Sequence, residues 1–135
     1  MCLDTGEKGK EAKKFVKSLK MTKDKYITLW KVFDINDEGN LISQFYDYKF
    51  TEGKNTADEK EIKDLSGLKA LYQYKSGFHC FADEASAERW TSGSINEFNR
   101  DRVVKPVKVR KTWITSIGWQ SGAGGTIAIC KHIII

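Results

Sequence analysis

The residues best suited to chemistry in this sequence are basic side chains clustered near residue 105. Between Asp101 and Thr112 the chain carries five basic residues against one acid. Lys and Arg at this density attract phosphate groups, and nearby tryptophans supply flat rings on which a base can stack. The segment predicts a binding site for an anionic ligand, formed by Lys105, Lys108, Arg110, Lys111, Trp113 and Trp119. The alternative interpretation is a solvated sheet face that carries lysines.

A glycine-rich segment, Gly118–Gly125, follows the basic run. Its backbone N–H groups could hold a phosphate, although it lacks the Gly-Lys-Ser/Thr ending of a P-loop. The segment is therefore either a long hairpin connection or a loop that lines a ligand with Trp119 at its start. Tyr72 and Tyr74 are further candidates for stacking on a ring.

Two cysteines and two histidines are the candidates for a transition-metal site: His79, Cys80, Cys130 and His132. This is a ligand set that structural zinc uses. Neighbouring residues on a strand point to opposite faces, so His79 and Cys80 cannot both reach one ion without a bulge. We therefore predict no metal, and favour inert core cysteines and a hydrogen-bonded core histidine.

Catalytic constellations are not evident in the sequence. Cys130 with His132 has the composition of a nucleophile and base, but nothing around it matches a local signature of such enzymes. Asp83, Glu84 and Glu88 cluster at one helix start, where capping explains them. We predict no catalytic residues and no cofactor, and a small transferase-like enzyme that uses His79 remains the less favoured alternative.

Composition limits the class of protein. The chain has 135 residues, 40% hydrophobic and 30% charged, with a net charge of +5, which is typical of a single globular domain. No run of apolar residues is long enough to cross a membrane, and the N-terminus lacks the apolar core of a secretory signal. With three cysteines the chain is too poor in thiols for a disulfide scaffold, so we expect a reducing, cytoplasmic setting.

The charge divides the chain into two parts. Residues 1–25 hold eight lysines against four acids and read as a basic N-terminal arm, with a possible helix over residues 10–20 that places Phe15 and Leu19 on one face. This arm is either solvated or a second contact for an acidic partner. Residues 26–135 carry the strand patterns and form the predicted domain.

The fold class predicted for the domain is α+β. Residues 26–35 and 41–46 read as a hairpin, residues 78–81 as a short strand, and residues 83–92 as a helix capped by Asp83. Val103, Val107 and Val109 alternate with polar residues, and the apolar segment 126–135 belongs inside the sheet. We expect a twisted, mainly antiparallel sheet of about five or six strands with one or two short helices.

The order of three motifs resembles small phage and prophage proteins. The motifs are Gly77-Phe78-His79-Cys80-Phe81, then Ala87 and Trp90 on a helix, then the valines at 103, 104, 107 and 109. The resemblance implies an α+β fold and a viral context, with residence in the host cytoplasm. Some of these proteins counteract host defence by blocking an enzyme or sequestering a nucleotide signal.

These observations lead to one main functional hypothesis. We expect a small non-enzymatic binding protein that engages an anionic partner, either a nucleotide signal or a nucleic acid, and that acts against host defence. The alternative is a protein inhibitor that occludes a host enzyme. No membrane partner is expected, and a homo-oligomer is compatible with the sequence.

Overall fold

A computed structural model of the protein describes residues 5–7, 10–43, 48–57, 61–62, 74–75, 77–93, 100–119 and 125–135. The helices and strands follow one another in this order: β1 Thr5–Glu7, α1 Lys10–Ser18, β2 Ile27–Ile35, β3 Leu41–Ile42, β4 Lys54–Thr56, β5 Glu61–Ile62, β6 Tyr74–Lys75, β7 Phe78–Phe81, α2 Glu84–Gly93, β8 Asp101–Val109, a 3-10 turn Lys111–Trp113, β9 Ile114–Trp119, β10 Thr126–Cys130 and β11 His132–Ile134. The predicted α+β class is confirmed, with more strands than the expected five or six.

A long antiparallel ribbon of β2 and β8 forms the centre of the sheet. Its register runs without interruption from Ile27 opposite Val109 to Ile35 opposite Asp101. Because successive side chains alternate between faces, one face of the ribbon is apolar, with Leu29 and Val107 fully buried. This face lines the main core.

The sheet curls back on itself at β10 and β11. The strand order is β1-β9-β10-β7-β2-β8-β11-β4, so β10 and β11 lie four steps apart in the sheet. In the chain, however, only Lys131 separates them. The path from β10 through β7, β2 and β8 to β11 therefore returns to the same stretch of chain. A register irregularity at Ile129 and Cys130 lies at this bend, where such features let a strand change direction.

Two apolar clusters occupy the two faces of the curled sheet. The inner cluster includes Phe33, Phe50 and Phe78, whose rings are 4.9 and 5.2 Å apart in successive pairs. The outer cluster lies under α2 and includes Phe81 and Trp90. Alternation assigns each strand residue to one cluster or the other.

Helix α2 begins as the sequence predicts. The Asp83 carboxylate accepts hydrogen bonds from the Ser86 N–H at 2.7 Å and the Ser86 hydroxyl at 2.9 Å. Gly125, at the end of the glycine-rich segment, lies so close to Ser86 that a Cβ at this position would overlap the Ser86 hydroxyl. The residue that leads into β10 is thereby packed against the start of α2.

Helix α1 is present within the basic N-terminal arm. Its partly buried side chains Phe15 and Val16, together with Leu19 just beyond it, pack against the inner cluster. Its lysines remain exposed at positions 13, 14 and 17, and Lys20 follows in the same state. The helix thus covers the core with one side and presents positive charge on the other.

Gly77 is expected to resist substitution because of a close approach to β10. A Cβ at Gly77 would lie 2.8 Å from the Cys130 carbonyl oxygen and 2.9 Å from Ile129 Cγ2. We expect Gly77→Ala to lower the free energy of unfolding by about 1–3 kcal/mol, because backbone must shift to admit the methyl group. Urea denaturation measures this loss. Glu88→Ala, an exposed change in α2, is the control and should alter stability by less than about 0.5 kcal/mol.

Candidate functional site: a basic aromatic face

Strand β8 separates two of the predicted binding residues. Lys105 and Lys108 are both exposed, but they are three residues apart and therefore lie on opposite faces of the strand. Lys105 pairs with Lys31 on the side of the buried Val107, whereas Lys108 pairs with Thr28 on the other side. The structure therefore does not place Lys105 on the face that Lys108 occupies, and a role for Lys105 in binding stays a prediction.

Lys108 has a basic neighbour that the sequence does not reveal. Ile134 of β11 lies opposite Lys108 on one side and opposite Lys54 of β4 on the other. These three residues form a row across three strands, with the two lysines about 10 Å apart at the backbone, which is two strand spacings. Lys54 is exposed and joins the candidate site.

Trp113 lies beside this row. The Lys54 ammonium nitrogen is 5.1 Å from the centre of the indole ring. The His132 ring meets the indole edge-on at 5.2 Å, and His132 Nδ1 and the Thr56 hydroxyl are joined by a hydrogen bond of 2.9 Å. Trp113 belongs to the 3-10 turn that follows β8. The turn brings the indole between β11 and Tyr26, whose ring centre is 6.2 Å away.

Arg110 and Lys111 continue the same surface toward α1. The Arg110 guanidinium lies 4.4 Å from the Tyr26 ring centre and donates a hydrogen bond of 3.1 Å to a Tyr26 hydroxyl. Lys111 Nζ donates a hydrogen bond of 3.2 Å to the carbonyl oxygen of Lys17, in the last turn of α1. The two basic segments of the sequence are therefore neighbours in space.

We call this surface the basic aromatic face and define it by Tyr26, Lys54, Lys108, Arg110, Lys111, Trp113 and His132. Within the part of the chain that the structure describes, its lysines and arginine form no ion pair with a carboxylate. Arg102 differs, because its guanidinium bonds the Asp34 carboxylate at 3.3 Å and lies 5.5 Å from the Trp90 ring centre. The charge of Arg102 is thus neutralised by Asp34 within the fold, whereas the positive charges of the basic aromatic face are available to a ligand.

The remaining predicted ligand residues lie partly outside the described residues. The backbone of Trp119 pairs with Thr5 and Thr126, while its side chain, residues 120–124 and Tyr72 fall outside the described part, as does the side chain of Tyr74. The prediction that these groups line a ligand stays a prediction.

A second cluster of reactive groups lies in the inner core. Lys31 is 6% exposed, and Cys80 and Cys130 are fully buried. The Lys31 ammonium nitrogen donates to the His79 carbonyl oxygen at 3.2 Å and lies 5.7 to 5.8 Å from the ring centres of Phe33, Phe50 and Phe78. Burial lowers the pKa of Lys31, which favours a neutral amine.

The two cysteines are poorly placed to form a disulfide. Cys80 lies opposite Ala128 and Cys130 lies opposite Phe78, so the cysteines are diagonal neighbours. Diagonal neighbours have Cα atoms about 7–8 Å apart, whereas a disulfide requires about 4.4–6.8 Å. A hydrogen bond with Cys80 and burial both raise the pKa of Cys130, so this thiol remains protonated and unreactive.

The candidate metal ligands His79 and Cys80 lie on opposite faces of the sheet. Among the described residues there is no group of three or more His, Cys, Asp or Glu side chains that could hold an ion. His79 lies opposite Ile129 of the outer cluster, while Cys80 belongs to the inner one. The two side chains face opposite ways, as the sequence indicates.

His79 has properties that do not suit a general base. The ring is buried, and its Nδ1–H donates to the Gly77 carbonyl oxygen at 3.3 Å. Burial, with a smaller effect from Lys31, lowers the pKa of His79 to about 3. Such a weak base takes few protons at neutral pH, so the alternative of an enzyme that uses His79 gains no support from the geometry.

Comparison of the chain with family models, with curated proteins and with solved structures found no match. Within the described residues, neither helix is long and apolar enough to pass through a lipid bilayer. The function is therefore inferred from the geometry of the basic aromatic face.

Replacing Lys31 tests whether its burial costs stability. We expect Lys31→Met to raise the free energy of unfolding at neutral pH by about 1–2 kcal/mol, because removal of a buried ionisable group outweighs the lost hydrogen bond and weak ring contacts. Because the pKa of Lys31 is lowered in the folded protein, the unfolded chain binds the proton of this amine more tightly. The wild-type protein therefore loses stability as pH falls below 10.5. Urea denaturation from pH 7 upward should show the advantage of the variant shrinking towards pH 10.5. A constant or negative difference would contradict this interpretation.

Proposed function

We propose that the protein binds ligands in which a phosphate group stands next to an aromatic base, and that the basic aromatic face is the binding site. The observation that carries the proposal is the position of Trp113, with Lys54 over its ring and His132 against its edge. Stacking and phosphate contacts can then act on one ligand at the same time. The binding is non-enzymatic.

Electrostatics supports the same proposal. Positive groups without a carboxylate partner keep their full attraction for phosphate and release counterions when they bind it. Both lysines of the row, Lys54 and Lys108, are exposed, so a phosphate can reach them without displacing the core. We expect affinity to fall steeply as salt rises.

The test uses a matched pair of variants. In the double variant Lys54→Gln with Lys108→Gln, we expect affinity for ATP, or for a twelve-nucleotide thymidine oligonucleotide, to fall about tenfold at low salt, since two phosphate contacts are lost. Lys105→Gln removes one charge from the opposite face of the same strand and serves as the control, with a much smaller effect. Fluorescence anisotropy of a labelled ligand measures both.

Two results would contradict the proposal. One is that neither ATP nor the oligonucleotide binds at low salt. The other is that Lys105→Gln weakens binding as much as the double variant, because the attraction would then depend on net charge and not on the face.

The cellular role stays a prediction. A function against host defence depends on the resemblance to small phage proteins, and so does the alternative of occluding a host enzyme. Sequestration of a nucleotide signal and binding of a nucleic acid both use the chemistry of the basic aromatic face.

A further inference from the structure

We propose that the ligand is single-stranded nucleic acid. A strand several nucleotides long would cross the surface from β4 over β8 to the C-terminal end of α1. This inference rests on the proposed function and names the class of ligand. It depends on the extent of the positive surface, on the chemistry of its aromatic residues and on the contact between Lys111 and α1.

The surface is larger than one nucleotide can cover. Lys54 and Lys108 are two strand spacings apart, which is about 10 Å. Arg110 and Lys111 extend the surface from the end of β8, and the hydrogen bond from Lys111 to the Lys17 carbonyl joins it to α1. A mononucleotide offers one base and one group of phosphates, so it can engage only one part of this surface at a time.

Helix α1 adds positive charge where a longer nucleic acid strand would continue beyond β8. The helix turns Phe15 and Val16 toward the core, and its lysines at positions 13, 14 and 17 are exposed. These three lysines lie on the other side of the helix and so face solvent. Lys20, just beyond the helix, is exposed as well. Charge spaced along a path complements a polyanion better than it complements a compact anion.

The aromatic residues favour a single strand over a duplex. Trp113 and Tyr26 are partly buried and still partly exposed. A base can stack on such a ring only when its own face is free, as in a single strand, because the bases of a duplex are already stacked on one another. Phosphate attraction alone would favour the more densely charged duplex.

The experiment compares ligands of equal chemistry and different length. Thymidine oligonucleotides of two, four, eight and twelve residues, ATP, and a twelve-base-pair duplex are titrated against the full chain at several salt concentrations. We expect affinity to rise at least tenfold from the dinucleotide to the longest strand, and the duplex to bind more weakly than that strand. If about four to six phosphates are neutralised, log affinity should fall with log salt with a slope of about −3 to −4.

Variants in the helix separate this inference from the proposed function. We expect Lys13→Gln with Lys17→Gln to weaken binding of the twelve-nucleotide strand several-fold and to leave ATP binding unchanged. Lys49→Gln is the control, since this exposed lysine pairs with Ile42 near the opposite end of the β2–β8 ribbon. Circular dichroism confirms that the variants keep their folded structure.

The outcomes are distinct. If ATP or the dinucleotide binds as tightly as the longest strand, or the duplex binds best, the single-strand inference is overturned and the proposed function stands. If none of the ligands binds at low salt, both fail.

Discussion

Trp113→Leu is expected to weaken binding of a twelve-nucleotide thymidine strand by about 5- to 150-fold, which corresponds to the 1–3 kcal/mol that base stacking on an aromatic ring typically contributes. Leucine retains apolar volume against the inner core, where Trp113 packs beside Ile114. It removes the flat ring that Lys54 and His132 contact. The loss should therefore appear in affinity and only slightly in stability. Fluorescence anisotropy of a labelled strand measures it.

Trp113→Phe is the control for this prediction. Phenylalanine preserves an aromatic ring in the same turn, so we expect it to retain more of the affinity than leucine does. Urea denaturation of both variants shows whether the fold is kept. If Leu and Phe bind equally, stacking on residue 113 does not contribute, and the attraction is purely electrostatic.

Acid is expected to destabilise the protein through His79. Its pKa is lowered from 6.5 to about 3, mainly by burial and then by Lys31. Because the unfolded chain takes up this proton near pH 6.5 and the folded one does not, stability falls as pH drops below 6.5 and continues to fall to about pH 3. Over this pH range the free energy of unfolding falls by roughly 4–5 kcal/mol, which is a large part of the stability of a small domain.

His79→Asn tests this linkage. The Asn amide can donate to the Gly77 carbonyl as the imidazole Nδ1–H does, and it does not titrate. We expect the variant to lose less stability between pH 6.5 and 4 than the wild type does. If the variant does not fold, NMR of the wild-type imidazole decides the question, since the ring should remain neutral at pH 5. A ring that titrates near 6.5 would show that His79 is not shielded from solvent.

Much of the fold could be predicted because local patterns agree with it. Asp83 has the side chain of an N-cap and lies one residue before α2, where it bonds Ser86. Val107 and Val109 alternate with Lys108 in the sequence, and the valines are buried while the lysine is exposed. These features depend on neighbouring residues, which a single sequence displays.

The closure of the sheet could not be predicted because it depends on distant pairing. Residues 126–135 read as one strand, whereas Lys131 divides them into β10 and β11 with different partners. The same closure explains why Lys31, which alternates with Leu29 and Phe33, is enclosed rather than exposed. A lysine on an apolar face is the signal that was visible, but burial is decided by the strands that close around it.

The candidate site divides in the same way. The sequence reveals Lys108, Arg110 and Lys111 as a basic group because they lie close together in the chain. The 3-10 turn then places Trp113 beside them. Lys54 is far away in the chain and arrives through the pairing of β4 with β11. Lys105 resembles Lys108 in charge and position in the chain. It lies on the opposite face of β8, because the two residues are three positions apart, and so it is not part of the basic aromatic face.

The most direct test of the binding claim is a two-dimensional NMR titration of the full chain with the twelve-nucleotide thymidine strand at low salt. The claim predicts that the largest shifts fall on the Trp113 indole N–H and on the backbone N–H groups of Lys54, Lys108 and Ile134. Lys105 and helix α2 should change little. Shifts centred on Lys105 or α2, or no shifts at all, would contradict the basic aromatic face as the binding site.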